Sequence, residues 1–315
     1  MNLNRSESSL HPVSRRDFLR TSVFAAGSLA LARHLPAAGA NAAEPIIDVH
    51  GHLSYSGRTD PVFLAHQKAL GVTLTILLPS GVRNAGHPGG SGENEPARQF
   101  SLARPGEFLF FANEVTDHPE ATKVIEKHLK LGAIGIGEQK FRIDCDSPGS
   151  IRIAELAREY NVPVILHFEH ELYNKHIERF GKVLEKFPTV NFIGHAVAWW
   201  GNIDKNHDQK NSYPTGPITP GGITDRYLTD YPNCYADVSA RSGYGAIARD
   251  EAFYRDFLIR HQNKLVYGSD CAETTGVAPS CFAANTIAAI RRLAPSKEVE
   301  RKILYGNAKK LLKIA

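Results

Sequence analysis

The chain lacks any run of about 18 apolar residues, which excludes a spanning helix and leaves no stable membrane anchor to expect. It also lacks a Cys-x-x-Cys pair. Its four cysteines, Cys145, Cys234, Cys271 and Cys281, are dispersed, assign no disulfide, and read as buried free thiols. Compositional bias is absent: 42% hydrophobic, 22% charged and 9% aromatic residues over 315 positions exclude a collagen-like, low-complexity or broadly disordered protein. Net charge is small as well. The nominal +4 contains five arginines and two acids from residues 1–42, and beyond them 32 basic side chains face 31 acidic ones. A chain this near neutrality gives no electrostatic reason to expect nucleic acid or an anionic membrane as partner. Histidine is the residue in excess, with 14 in all and 12 after position 42.

The first 42 residues read as an address. Ser14-Arg15-Arg16-Asp17-Phe18-Leu19-Arg20 precedes an apolar, alanine-rich stretch from Thr21 to Ala32, and small residues follow through Ala42. A basic region, a short apolar core and Ala-x-Ala sites make a secretory signal peptide, with cleavage after Ala40 or Ala42 fitting equally. The paired arginines resemble the twin-arginine signal, which is read by the twin-arginine export machinery. That resemblance implies export of an already folded, cofactor-loaded protein to the periplasm or beyond. The competing reading is an amphipathic helix that stays attached.

The mature chain, residues 43–315, suits one large domain. Brief strand-like runs lie at Ile46–Val49, Val72–Leu78, Phe108–Ala112, Ala133–Ile136, Val162–Leu166, Asn191–Ile193, Tyr235–Val238 and Leu265–Tyr267. Helical periods fall at Pro61–Leu70, His118–Leu131, Ser150–Tyr160, Leu172–Lys186, Glu251–His261, Ala283–Leu293 and Glu298–Ile314. Eight short apolar strands alternating with helices read as an α/β fold, a single closed (β/α)8 TIM barrel. An open doubly wound sheet is the runner-up, because alternation does not itself show closure. Two connections are long, the glycine-rich Gly81–Pro96 and Ala196–Ile223, which holds both tryptophans. Both follow strands, so in a barrel both lie at the C-terminal mouth, where active sites sit.

Six candidate ligands stand at strand ends. Asp48-Val49-His50-Gly51-His52 closes the first strand, and alternation turns His50 and His52 to one side. Glu138, His167, His195 and Asp270 close or follow the fourth, fifth, sixth and eighth. A core histidine is the ordinary reading of any one of them; the set together points to a metal centre. It resembles the amidohydrolase superfamily, in particular the amidohydrolase-related metal-dependent hydrolases of TIM-barrel fold. The likeness rests on Asp48–His52, Leu166-His167-Phe168, Phe192-Ile193-Gly194-His195, Tyr267-Gly268-Ser269-Asp270 and Asn307-Ala308. The resemblance implies that His50, His52, His167 and Asp270 ligate metal. Glu138 departs from the carboxylated lysine that many two-metal members carry; it bridges two cations or completes one site, and Lys140 takes that place if the register slips by two. The competing reading is a Glu138–Lys140 pair closing the barrel mouth.

Imidazoles with carboxylates suit one or two Zn2+, with Mn2+ or Fe2+ as alternatives. Such a cation activates water and polarises a carbonyl, Asp270 carries the proton, and His195 is a second ligand or steadies the developing oxyanion. Asp48 is either a partner of the ligands or a structural acid. Trp199, Trp200 and Tyr213 offer aromatic faces to a small-molecule substrate, Arg241 with Ser239 a carboxylate clamp, and Glu169, His170 and Asn174 a rim. The leading expectation is an exported hydrolase of an amide, lactone or other ester. The alternative is a single-metal decarboxylase of the aminocarboxymuconate-semialdehyde decarboxylase-like type, and a solute- or metal-binding protein without turnover is the third reading.

Overall fold

The computed structural model describes residues 44–81 and 93–314. The signal-peptide reading of residues 1–42 and most of the Gly81–Pro96 connection therefore lie outside the described residues. Eight parallel strands follow one another around an axis: β1 (Ile47–Gly51), β2 (Leu74–Leu77), β3 (Phe108–Phe110), β4 (Ile136–Gln139), β5 (Val164–His167), β6 (Phe192–His195), β7 (Cys234–Val238) and β8 (Leu265–Tyr267). Strands β1 to β3 form one hydrogen-bonded ladder and β4 to β8 another. Two seams join them. At the first, Ala112 bridges to Ile136, with the Ala112 N–H donating to the Gly135 carbonyl at 2.9 Å. At the second, the Asp270 N–H donates to the His50 carbonyl at 2.8 Å and the Ser269 N–H to Asp48 Oδ1 at 2.7 Å. The expected barrel order is present, and its β1–β8 seam is tied by the ends that carry the candidate ligands.

Period-two alternation divides the strand side chains between two cores. Ile47, Val49, Leu74, Ile76, Phe111, Ile165, Ile193 and Val266 meet inside the barrel, where Ala308, Leu311 and Leu312 join them from the chain's end. Leu77, Phe110, Val164, Leu166, Phe192, Ala236 and Tyr267 face outward under the helices. Each such Leu, Ile or Phe contributes roughly 1.5–3 kcal/mol by leaving water, so the two layers hold the strand ends in place.

The helices are α1 (Asp60–Leu70), α2 (Asn94–Ala103), α3 (Ala121–Lys130), α4 (Pro148–Tyr160), α5 (Phe180–Lys186), α6 (Val197–Gly201), α7 (Ile223–Asp230), α8 (Ala240–Arg249), α9 (Glu251–His261), α10 (Phe282–Leu293), α11 (Lys297–Arg301) and α12 (Asn307–Leu311). Local chemistry starts several of them. Ser147 accepts from the Ser150 N–H with Pro148 in the first turn of α4, and Asp250 accepts from the Phe253 N–H at α9.

Three expectations shift. The fourth strand begins at Ile136, not Ala133. The helix expected from Leu172 begins only near Ile177, because Asn174 and His176 take positive φ and Asn174 Nδ2 is tethered to the carbonyls of Gln139 (2.5 Å) and His167 (2.9 Å). The span Ala196–Ile223, read as a loop, contains α6, while α2, α7 and α8 had no counterpart in the sequence reading.

Candidate metal centre

The ligand candidates reach one point because two strands break their regular alternation there. On β1, the pairing with β2 shifts register between Asp48 and Gly51. Ile47 and Val49 point into the barrel while Asp48 turns outward, accepting from Gln67 Nε2 of α1 at 2.6 Å; past the shift, His50 and His52 turn inward. On β4, register shifts between Ile136 and Gln139. Gly137 there has φ 134°, and a Cβ on it would stand 2.4 Å from Ile165 Cγ2, so glycine lets the chain deliver Glu138. Strands β5 and β6 stay regular and place His167 opposite His195.

Four side chains meet tightly. His50 Nε2 lies 3.1 Å from His52 Nε2, and both nitrogens lie 3.5 Å from Glu138 Oε2. Asp270 Oδ1 is 3.8 Å from His50 Nε2 and 3.4 Å from His52 Nε2. Ligands about 2.0–2.2 Å from one cation stand about 3.4 Å apart at tetrahedral angles, which is this spacing. The far oxygens of the carboxylates face His195: its Nε2 is 3.6 Å from Glu138 Oε1 and 3.4 Å from Asp270 Oδ2.

Hydrogen bonds behind the histidines set which nitrogen is free. His52 Nδ1 donates to the Leu78 carbonyl at 2.8 Å, and His50 Nδ1 to Asp237 Oδ2 at 2.6 Å. Both Nε2 lone pairs then face each other at 3.1 Å, an arrangement that repels unless positive charge stands between them. Asp237 also supports His195: the Ser239 hydroxyl donates to Asp237 Oδ2 at 2.9 Å and accepts from His195 Nδ1 at 3.0 Å. Gly268 makes room for this support, since a Cβ there would stand 2.4 Å from Asp237 Oδ1 and 2.7 Å from His50 Cβ.

Charge tells the same story. Glu138, Asp237 and Asp270 are three buried or nearly buried carboxylates. Burial would raise the Glu138 carboxyl, but the His167 and His50 imidazoles hold it well below the usual range. Asp270 is likewise held low by His50, His195 and His52 against the effect of burial. Burial works to keep His50 neutral; Asp270, Asp237 and Glu138 overcome it and push its pKa well up. Three carboxylates among imidazoles leave an excess of negative charge that is costly in an apolar interior. A divalent cation fits this donor set in size, ligand type and charge.

The structure brings His50, His52, Glu138, His195 and Asp270 to one place. His167 joins them differently: its Nδ1 sits 2.5 Å from Glu138 Oε1 and its Nε2 3.3 Å from Glu169 Oε2, so it grips Glu138 instead of facing the histidine pair. The Lys140 alternative is not realised, since its ammonium lies over the Tyr173 ring. Asp48 is a seam residue, bonded to backbone and to α1. Trp199 is corrected outright. It is fully buried between Phe168 and Phe180 and offers no face to a ligand. Trp200 is also buried, its indole N–H donating to the Asp237 carbonyl at 3.1 Å, yet it forms one wall of a cleft of about 360 Å3. Tyr213, Arg241, Tyr244 and Phe282 line the same cleft, with the Arg241 guanidinium 4.1 Å over the Tyr213 ring. Asp237 escaped the sequence reading, although Tyr235 and Asp237 share one face of β7 and an acid inside an apolar strand is a signal.

Comparisons with known proteins agree with this architecture. An amidohydrolase family model matches residues 226–314, which include β7, β8 and Asp270. No curated protein matches the chain in sequence. An uncharacterized TIM-barrel protein from Bordetella bronchiseptica is similar in structure, with TM-score 0.64, 15% identity and coverage of 85% of this chain and 98% of that one. A probable 2-pyrone-4,6-dicarboxylic acid hydrolase from Acinetobacter baumannii gives TM-score 0.56, 14% identity and coverage of 85% and 99%. A dihydroxybenzoic acid decarboxylase from Polaromonas sp. JS666, with bound manganese and 2-nitroresorcinol, gives 0.52, 16%, 86% and 97%. The family match and the barrel-fold neighbours support an enzyme of the amidohydrolase superfamily.

Proposed function

We propose that the protein is a metal-dependent decarboxylase of a small, flat carboxylic acid, using one divalent cation held by His50, His52, Glu138 and Asp270. The observation that carries this reading is the division of labour at the centre. His50, His52 and Asp270 bring three donor atoms within 4.8 Å of one another, Glu138 Oε2 lies 3.5 Å from both histidine nitrogens, and Glu138 also groups with His50 and His195, whose Nε2 is directed at the carboxylate oxygens. Decarboxylases recur among the similar structures, which supports the same choice over hydrolysis.

When bound, the cation supplies Lewis-acid attraction for a substrate oxygen. His195 supplies the proton. Burial and the neighbouring His50 disfavour its charged form, while hydrogen bonds with Asp237 and Asp270 raise its pKa, and its Nε2 lies 3.4 Å from Asp270 Oδ2. That proton forms a C–H bond at the carbon bearing the carboxylate; the C–C bond then breaks, its electron pair returns to the ring, and CO2 leaves. Ser239 and Asp237 keep the imidazole oriented through its Nδ1. The cleft of Trp200, Tyr213 and Arg241 is lined by none of the ligand candidates, so it would take only a part of the substrate remote from the reacting carbon.

One observation favours hydrolysis as the second reading. Glu138 Oε1 and Asp270 Oδ2 both face His195, a second donor set that would suit a second cation. The deciding experiment offers Mn2+- or Zn2+-loaded protein a panel of hydroxybenzoic acids, lactones and amides in D2O. The proposal expects CO2 release with one deuterium on the vacated ring carbon. Acid release from lactone or amide, with no CO2 from any carboxylic acid, would overturn it.

A further inference from the structure

A second cluster of soft ligands lies across the barrel seam from the centre just described. His66 of α1, Cys271 in the segment after β8, and Cys281 at the start of α10 bring three ligand atoms within 4.8 Å of one another, all three residues buried. The sulfurs are 3.6 Å apart, and Cys281 Sγ is 3.4 Å from His66 Nε2. With bonds of about 2.3 Å to sulfur and 2.0–2.1 Å to nitrogen, the edges of a tetrahedral zinc site come to about 3.5–3.8 Å. The cluster is already near that size. A disulfide would need the sulfurs at about 2.05 Å, so the side chains would have to close up.

The imidazole is set for ligation. Gln67 spends its amide N–H groups on Asp48 (2.6 Å) and Thr75 (2.7 Å), so its Oε1 is left to accept from His66 Nδ1 at 3.1 Å. That bond places the His66 proton on Nδ1 and leaves the Nε2 lone pair directed at the sulfurs. Gln67 and Asp48 thus support both clusters at once, one through His66 and the other through the β1–β8 seam. Two thiolates and a divalent cation sum to zero charge, which suits a buried place.

We propose that His66, Cys271 and Cys281 form a second, structural metal site for a thiophilic cation, Zn2+, which staples the segment between β8 and α10 to α1. The staple has a consequence for the centre, because Cys271 follows Asp270 directly in the chain. Fixing Cys271 limits the freedom of Asp270, whose N–H closes the seam to His50.

Cobalt substitution tests this on the metal-stripped full chain, reconstituted with Co2+. Thiolate–cobalt bonds give a near-ultraviolet charge-transfer band that imidazole and carboxylate ligands do not. We expect that band in wild type and in a His50→Ala/His52→Ala variant, and its loss in Cys281→Ser. Serine supplies a hydroxyl that can cap α10 where Cys281 Sγ now accepts from the Ala284 N–H, so loss of the band would not come from loss of the cap. Thiol labelling of the zinc-loaded wild type gives an independent reading: all four cysteines are buried, and a chelator should raise the labelling rate of Cys271 and Cys281 while leaving Cys145 and Cys234 unchanged. No charge-transfer band in cobalt-loaded wild type would overturn the proposal, as would two thiols recovered only after a reductant. Failure of the catalytic reading would instead appear as absent turnover with the band intact.

Discussion

Asp237 shows how much a single side chain without a motif can govern. It receives the His50 Nδ1–H directly and orients His195 through the Ser239 hydroxyl, so two histidines of the centre depend on one carboxylate. Partners of this kind typically set metal affinity or activity by 10–100-fold. Asp237→Asn should therefore cut manganese affinity and turnover by about that range while the circular dichroism spectrum is unchanged. Unaltered affinity would remove Asp237 from the account. His50, His52, His195 and Asp270 were legible in the sequence because each sits at the end of an apolar run, where alternation has only two directions to offer. Asp237 was not: an acid inside an apolar strand signals a buried partner, but alone it carries no spacing that says which. The partner of His167 was equally hidden: both of its nitrogens face acids, and only the fold shows that Glu138 is one of them.

At the scale of elements, the strands could be read because both faces are apolar, while the helices of the β6–β8 region could not. The Ala196–Ile223 span looked like a loop on account of its prolines and glycines, yet Trp199 and Trp200 bury α6 against the barrel. Helices α7 and α9 are joined by a polar contact that no periodicity announces: Asp225 accepts from His261 Nε2 at 2.6 Å and from the Arg260 guanidinium. Burial would raise the Asp225 carboxyl, but these two partners lower its pKa below the ordinary value. A carboxyl lowered on folding adds stability above its unfolded pKa, about 3.9, and that stability is lost as pH falls through the folded value. Urea unfolding should accordingly show wild type more stable than Asp225→Asn at pH 6, with the gap closing below about pH 4. A gap that stays constant to the acid limit would mean that the ion pair contributes nothing to the α7–α9 contact.

For the whole molecule, the β1–β8 seam and the candidate metal centre share His50 and Asp270, so binding of a cation there would couple to folding of the barrel. A ligand that binds only the folded chain adds about 1.4 kcal/mol for each tenfold excess over its Kd. We propose that the chain is exported folded and loaded, on the strength of Arg15-Arg16 ahead of the apolar stretch. Replacing both arginines with lysine should leave folded, metal-bearing protein in the cytoplasm; unchanged export would exclude the twin-arginine route. The barrel itself was readable from the alternation of eight apolar runs, whereas the substrate was not, because one barrel and one kind of centre serve many reactions.

The proposed centre holds one divalent cation on His50, His52, Glu138 and Asp270, with His195 outside the ligand set. Manganese binding to the metal-stripped full chain, followed by electron paramagnetic resonance, tests it most directly, since this hard cation prefers the carboxylate and imidazole set to the thiolates. The account predicts one tightly bound Mn2+ per chain, retained in His195→Ala and lost in His50→Ala/His52→Ala. Two tight ions with one lost in His195→Ala, or tight binding that survives the double variant, would contradict it.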